Sequence, residues 1–164
     1  MESRDFSNRA EPRFLWFFGL LVLLLGAFVY VLARGGNAYF VPEFIRGLQA
    51  ENVMRHLTNQ LPTFFHTFAF ATFMAAIWSS SKRTVLLACS GVVVMEVFLE
   101  LGQHTSVAQH VATNFPTLLD DVPIIGLMPE YFTRGTYDLW DILSILVGGA
   151  ISVVAVLCIY TRRE

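Results

Sequence analysis

Asp138 and Asp141 stand three residues apart where the apolar run 139–160 begins, and Glu96, Glu100 and Gln103 stand four and three apart where the run 84–102 ends. Residues at those spacings share one face of a helix, so each run aims its polar groups in one direction. His66 lies about one turn inside the run 61–78, and Arg134 precedes Asp138 by four residues. Carboxylates placed this way have three uses. They can bind a ligand that carries hydrogen-bond donors, they can pass protons as acid–base groups, or they can lock helices together as a structural polar network. A charged carboxylate near a bilayer centre costs about 2.5–3.5 kcal/mol on insertion scales, so it persists only where something compensates.

The elements that must position these groups follow from composition. The 164 residues are 55% hydrophobic and only 15% charged, against about 25% charged in a typical soluble domain. The deficit falls in runs of roughly 18–22 residues, the length that carries a helix across about 30 Å of hydrocarbon. The spans are expected at about 14–33, 61–78, 84–102 and 139–160. The fold class expected is therefore all-α: an integral membrane bundle of four transmembrane helices over residues 14–160. Polar tails, 1–13 and 161–164, flank it. A signal peptide is the competing reading of the first run, because Val31, Leu32 and Ala33 resemble a cleavage site. The run is longer than the usual core of such a peptide, which favours a retained anchor.

Gly35, Gly36 and Asn37 end the first helix with turn-forming residues. Residues 43–59 have imperfect helical spacing and are too polar to span. They form either a short helix lying at the interface or an ordinary connecting helix packed on the bundle. The link 79–83 is tight and polar. The connection 103–137 is the longest, and Pro116, Pro123 and Pro129 are expected to limit its regular structure. Arg4, Arg9, Arg13, Lys82, Arg83, Arg162 and Arg163 fall on the side of the termini, whereas Arg34, Arg46, Arg55 and Arg134 fall on the other. Positive charge accumulates on the cytoplasmic side, so both termini are expected inside.

With that topology His66, Glu96, Glu100, Gln103, Arg134, Asp138 and Asp141 gather at the outer ends of three helices. At about 1.5 Å per residue from Thr84, Glu96 lies roughly 18 Å deep and Glu100 roughly 24 Å. Glu96 is then the buried acid, expected to be protonated or paired because burial disfavours the charged form. Glu100 and the aspartates are expected to reach water or headgroups. Arg134 is the expected counter-charge for Asp138, which also gains from lying near a helix N-terminus. The aspartate face continues through Ser144 or Ile145 to Gly148, Ser152 and Ala155, a small-residue seam suited to close helix packing.

Other chemistries find little support. The net charge of −2 offers no basic field for nucleic acid. Cys89 and Cys158 lie in apolar runs and form no redox or metal motif. His66, His104, His110, Asp120, Asp121 and Glu130 share one side, yet none forms a recognised metal-ligand pair. No metal and no cofactor are expected. Ser80 and Ser81 lie away from His66 and the acids, so a serine triad is not supported.

These residues resemble the VanZ-like family of small bacterial membrane proteins, named for a teicoplanin-resistance protein. The resemblance rests on His66-Thr67-Phe68-Ala69-Phe70, on Glu100-Leu101-Gly102-Gln103, and on Arg134-Gly135-Thr136-Tyr137-Asp138 with Asp141 and Gly148 following. It covers roughly residues 61–155, and its specificity comes from the order and spacing of short pieces. Many members carry Asn four residues after the second aspartate, where this chain has Ile145. The resemblance implies a multi-spanning protein of the cell envelope. In the member that names the family it implies reduced sensitivity to a glycopeptide antibiotic, but it does not imply an established catalytic reaction or resistance in every relative.

The leading expectation is a non-enzymatic binding protein whose outer-face pocket takes an envelope lipid, a cell-wall precursor or a lipophilic glycopeptide. In that pocket Arg134 would meet an anionic group, and Glu100 and the aspartates would meet cationic or hydroxyl groups. The alternatives are an accessory or assembly subunit of a larger membrane complex, and a proton-coupled transporter or membrane enzyme using the intramembrane acids. The expected partners are membrane lipids, with other membrane subunits or further copies of the chain under the second reading.

Overall fold

Apolar runs leave the backbone with no partner but itself, and the helix is the local structure that satisfies every N–H and C=O within one segment. The computed structural model describes residues 12–34, 55–78, 81–119 and 121–161. Its long helices are α1 (Pro12–Arg34), α2 (Arg55–Ile77), α3 (Lys82–Gly102) and α6 (Leu139–Thr161), with α4 (Thr105–Asn114) and α5 (Met128–Arg134) between α3 and α6. Most of the segment 43–59, read above as an interfacial or connecting helix, lies outside the described residues, and its last five residues open α2.

Three helices among the described residues are long and apolar enough to cross a membrane. They are Arg13–Val31, Lys82–Gly102 and Leu139–Ile159, with mean hydropathies of 2.5, 2.0 and 2.8. α2 has the length, 23 residues, but Gln60, Pro62, Thr63, His66, Thr67 and Thr72 dilute its apolar content. It is also the hub of the bundle, packing along α1, α6 and α3.

Close approach makes this packing. A Cβ on Gly26 of α1 would stand 2.6 Å from the Phe65 Cβ of α2, and one on Gly148 of α6 would stand 2.6 Å from the Phe64 carbonyl oxygen. Only glycine lets these backbones meet, in the manner of small-residue membrane interfaces. Further along the same contact, the buried hydroxyls of Thr72 and Ser152 lie 3.0 Å apart. The Thr72 hydroxyl also reaches the Phe68 carbonyl at 2.8 Å.

The bundle is polarised along its axis. The apolar core gathers Leu15, Ala71, Ala75, Val85, Cys89, Val92 and Val156, from the first half of α1 and α3 and the last half of α2 and α6. The opposite end carries the acids. The link between α2 and α3 closes the apolar end through a capping box, in which the Ser81 hydroxyl accepts from Thr84 N and the Thr84 hydroxyl accepts from Ser81 N.

The connection after α3 is more regular than its prolines suggest. Pro129 falls in the first turn of α5, where its missing N–H costs nothing. α4 ends at Asn114, before Phe115 and Pro116, as the restriction on residues preceding proline requires. α5 folds back over the end of α3, and a Cβ on Gly102 would collide with the Phe132 ring. This return changes the burial of the acids.

Candidate functional site

The polar end of the bundle holds an open cavity of about 500 Å³ between α1, α2, α3, α5 and α6. Its walls include His66, Glu96, Glu100, Gln103, Arg134 and Asp141. Asp138 is not part of this wall and joins it through the hydrogen bond from its backbone N–H to Glu100.

Each acid is held by a neighbouring helix. The Thr63 hydroxyl of α2 donates to Asp141 Oδ1 at 3.0 Å. Asp138 N donates to Glu100 Oε1 at 2.8 Å, joining the end of α3 to the start of α6. Asp138 itself accepts Gln60 Nε2 at 3.0 Å on one oxygen and Trp140 N at 2.9 Å on the other. The second bond occupies an N–H at the opening of α6, the usual service of an aspartate at a helix start.

Glu96 is held differently. One carboxyl oxygen, Oε2, is hydrogen-bonded to the Thr67 hydroxyl, which also reaches the Thr63 carbonyl at 3.0 Å. The other, Oε1, is buried without a hydrogen-bond partner. His66 Nε2 stands 3.7 Å from it, close enough for charge attraction but too far for a hydrogen bond. The His66 ring is stacked on Phe70 with centroids 4.4 Å apart, and more than half of its side chain is exposed.

Two expectations change. Glu100 is 8% exposed, so it is buried rather than reaching water. A depth counted along α3 takes no account of the chain that returns over its end. Arg134 is not the partner of Asp138. It closes α5, and its Nη2 lies 2.7 Å from Glu130 Oε1, one helical turn back in a largely exposed pair. The pairing needs α5 to be helical, whereas the prolines of the connection 103–137 point to little regular structure.

Gln103 donates from Nε2 to the Tyr131 hydroxyl at 3.2 Å, and its side chain fills the space that a Cβ on Gly135 would need. Burial, with the Glu100 charge adding to it, holds the Tyr131 phenol above its ordinary range, and the Gln103 bond acts in the opposite direction. Ile145 is buried and lines the cavity. The seam residues Gly148 and Ser152 face α2, as described above.

The structure adds residues that the sequence reading passed over: Gln60, Thr63 and Thr67 on α2, Tyr30 on α1 and Tyr131 on α5. Gln60, Thr63 and Thr67 recur at three and four residues, so a polar stripe opposite the acids was available as a signal. Tyr30 and Tyr131 carry no such periodic mark.

The remaining metal-type side chains are dispersed. His104 opens α4, with Nδ1 2.9 Å from the Ser106 hydroxyl, and His110 neighbours Asn114. Asp120 lies outside the described residues. Among the described residues no group of three or more His, Cys, Asp or Glu side chains is arranged to hold a metal ion.

Comparison with models of known protein families, with curated proteins and with solved structures finds no match.

Proposed function

We propose that this chain is a VanZ-like membrane protein of the bacterial cell envelope whose polar cavity binds an envelope lipid headgroup, a cell-wall precursor or a lipophilic glycopeptide. One observation carries the reading. A cavity of about 500 Å³ walled by Glu96, Glu100 and Asp141 contains a buried carboxyl oxygen, Glu96 Oε1, with no hydrogen-bond partner. A purely structural network closes on itself, because an unmet buried polar atom costs about 1–3 kcal/mol. Here it lies unmet on a residue that walls a space large enough for a headgroup, within the usual range for ligand pockets.

On this reading α2 is the fourth span. A helix surrounded by three others needs less apolar surface than one facing lipid, and its threonines are directed at partners on α3 and α6. Both termini are then cytoplasmic, and α4, α5 and the cavity mouth lie outside.

An accessory-subunit reading draws on a different observation. Leu118, Ile124 and Leu127 in the α4–α5 connection are among the most exposed large apolar side chains, and exposed apolar patches favour contact with a partner or a membrane surface.

The test is the Asp141→Asn variant, purified alongside wild type and analysed for co-purifying lipid by native mass spectrometry. The binding reading expects a lipid or precursor retained by wild type and lost from a variant that accumulates normally in the membrane. Equal retention by both removes Asp141 from the site and the reading with it.

A further inference from the structure

The balance of donors and charges in the cavity narrows the chemistry of what enters it. Three carboxyls line it, Glu96, Glu100 and Asp141, against His66 and Arg134. The Arg134 guanidinium is already tied to Glu130 at 2.7 Å, so it offers an incoming anion little uncompensated charge. Each acid takes one hydrogen bond from the protein, through Thr63, the Asp138 amide or Thr67. The Glu96 side chain is nine-tenths buried, and its second oxygen is the unmet acceptor.

We propose that the ligand presents a primary amine, seated as an ammonium against Glu96 Oε1 and facing Glu100 and Asp141. The proposal rests on the reading of the cavity as a ligand site and names the group that this site recognises. An ammonium supplies three N–H donors and no acceptor, and it brings positive charge to a wall of acids. A phosphate or carboxylate would bring acceptors and negative charge to the same wall, against both terms. A hydroxyl would meet Oε1 but bring no positive charge to Glu100 and Asp141. A divalent metal needs a set of converging ligands that the described residues do not provide.

An amine can arrive on a membrane lipid or as a free solute, and one experiment separates the two. The full-length protein is reconstituted with acyl-matched phosphatidylethanolamine, phosphatidylcholine and phosphatidylglycerol, and retained lipid is read by native mass spectrometry. In parallel, butylamine is titrated by NMR into nanodiscs of phosphatidylglycerol alone. A lipid-borne amine gives preferential retention of phosphatidylethanolamine, by about tenfold, the worth of one charge-assisted hydrogen bond. A free amine gives saturable butylamine binding without lipid preference. In either case Glu96→Gln removes the effect.

Retention of phosphatidylglycerol at least equal to that of phosphatidylethanolamine, with no butylamine binding, overturns the amine and leaves the cavity standing. Retention of no lipid and no amine overturns both. Amine binding by Glu96→Gln at the wild-type level also overturns the proposal. If that variant fails to fold, the comparison of ligands on the wild type decides alone.

Discussion

The backbone N–H of Asp138 donates to Glu100 Oε1 at 2.8 Å, so a side chain at the end of α3 fixes the point where α6 begins. The bond joins positions 38 residues apart, across the whole of α4 and α5. It sets the buried Glu100 beside the start of α6. A helix start held in this way keeps Asp141 at the cavity wall.

Glu100→Ala should therefore lower stability by about 1.5–3 kcal/mol, the range for a hydrogen bond to a charged group. Glu100→Gln keeps an acceptor for the Asp138 amide and should recover a large part of the loss. Reversible unfolding in mixed micelles reads both values. An alanine variant as stable as wild type would show that the bond does not hold α6 in place.

Gly148 and Gly91 make a matched pair. A Cβ on Gly148 meets the Phe64 carbonyl, a backbone atom that cannot swing aside, whereas one on Gly91 meets nothing within 4 Å. Gly148→Ala should destabilise by about 1–3 kcal/mol through overpacking. Gly91→Ala should be neutral or stabilising by up to about 1 kcal/mol through helix propensity. The same unfolding assay orders the two, and the reverse order would contradict the α2–α6 contact.

Tyr131 gives the structure an alkaline signature. Its phenol is held above the ordinary range, first by burial and then by the Glu100 charge. As pH rises through about 10, the ordinary tyrosine value, the unfolded chain releases this proton before the folded one does. Stability should then fall with rising pH until Tyr131 ionises in the folded protein. Tyr131→Phe should remove this part of the alkaline decline, and Glu100→Gln should reduce it. Denaturant unfolding at a series of pH values checks the slope, and an unchanged decline in Tyr131→Phe would remove Tyr131 as its source.

The apolar helices were legible in the sequence because uncharged runs such as that of α1 can do little else. α2 was legible as a helix but not in its start, since the first turn from Arg55 is polar and reads as connection. α4 and α5 were hidden by Pro116, Pro123 and Pro129, which read as breaks, although Pro129 lies in a first turn that tolerates it. The acids of the site were visible through their cost in an apolar run. Their partners were not, because Thr63, Thr67 and Gln60 are uncharged and mark themselves only by a three- and four-residue recurrence. The pairing of Arg134 with Glu130 depends on α5 being helical, which no apolar periodicity announced.

A ligand site beside Glu96 and Asp141 must hold something other than protein in the native membrane. The most direct measurement is a density map of the protein extracted with its native lipids and never exposed to detergent exchange. The binding reading predicts continuous non-protein density entering the cavity and approaching Glu96 Oε1 within hydrogen-bond distance. A cavity closed by its own side chains, with Glu96 Oε1 met by another protein group, would contradict it.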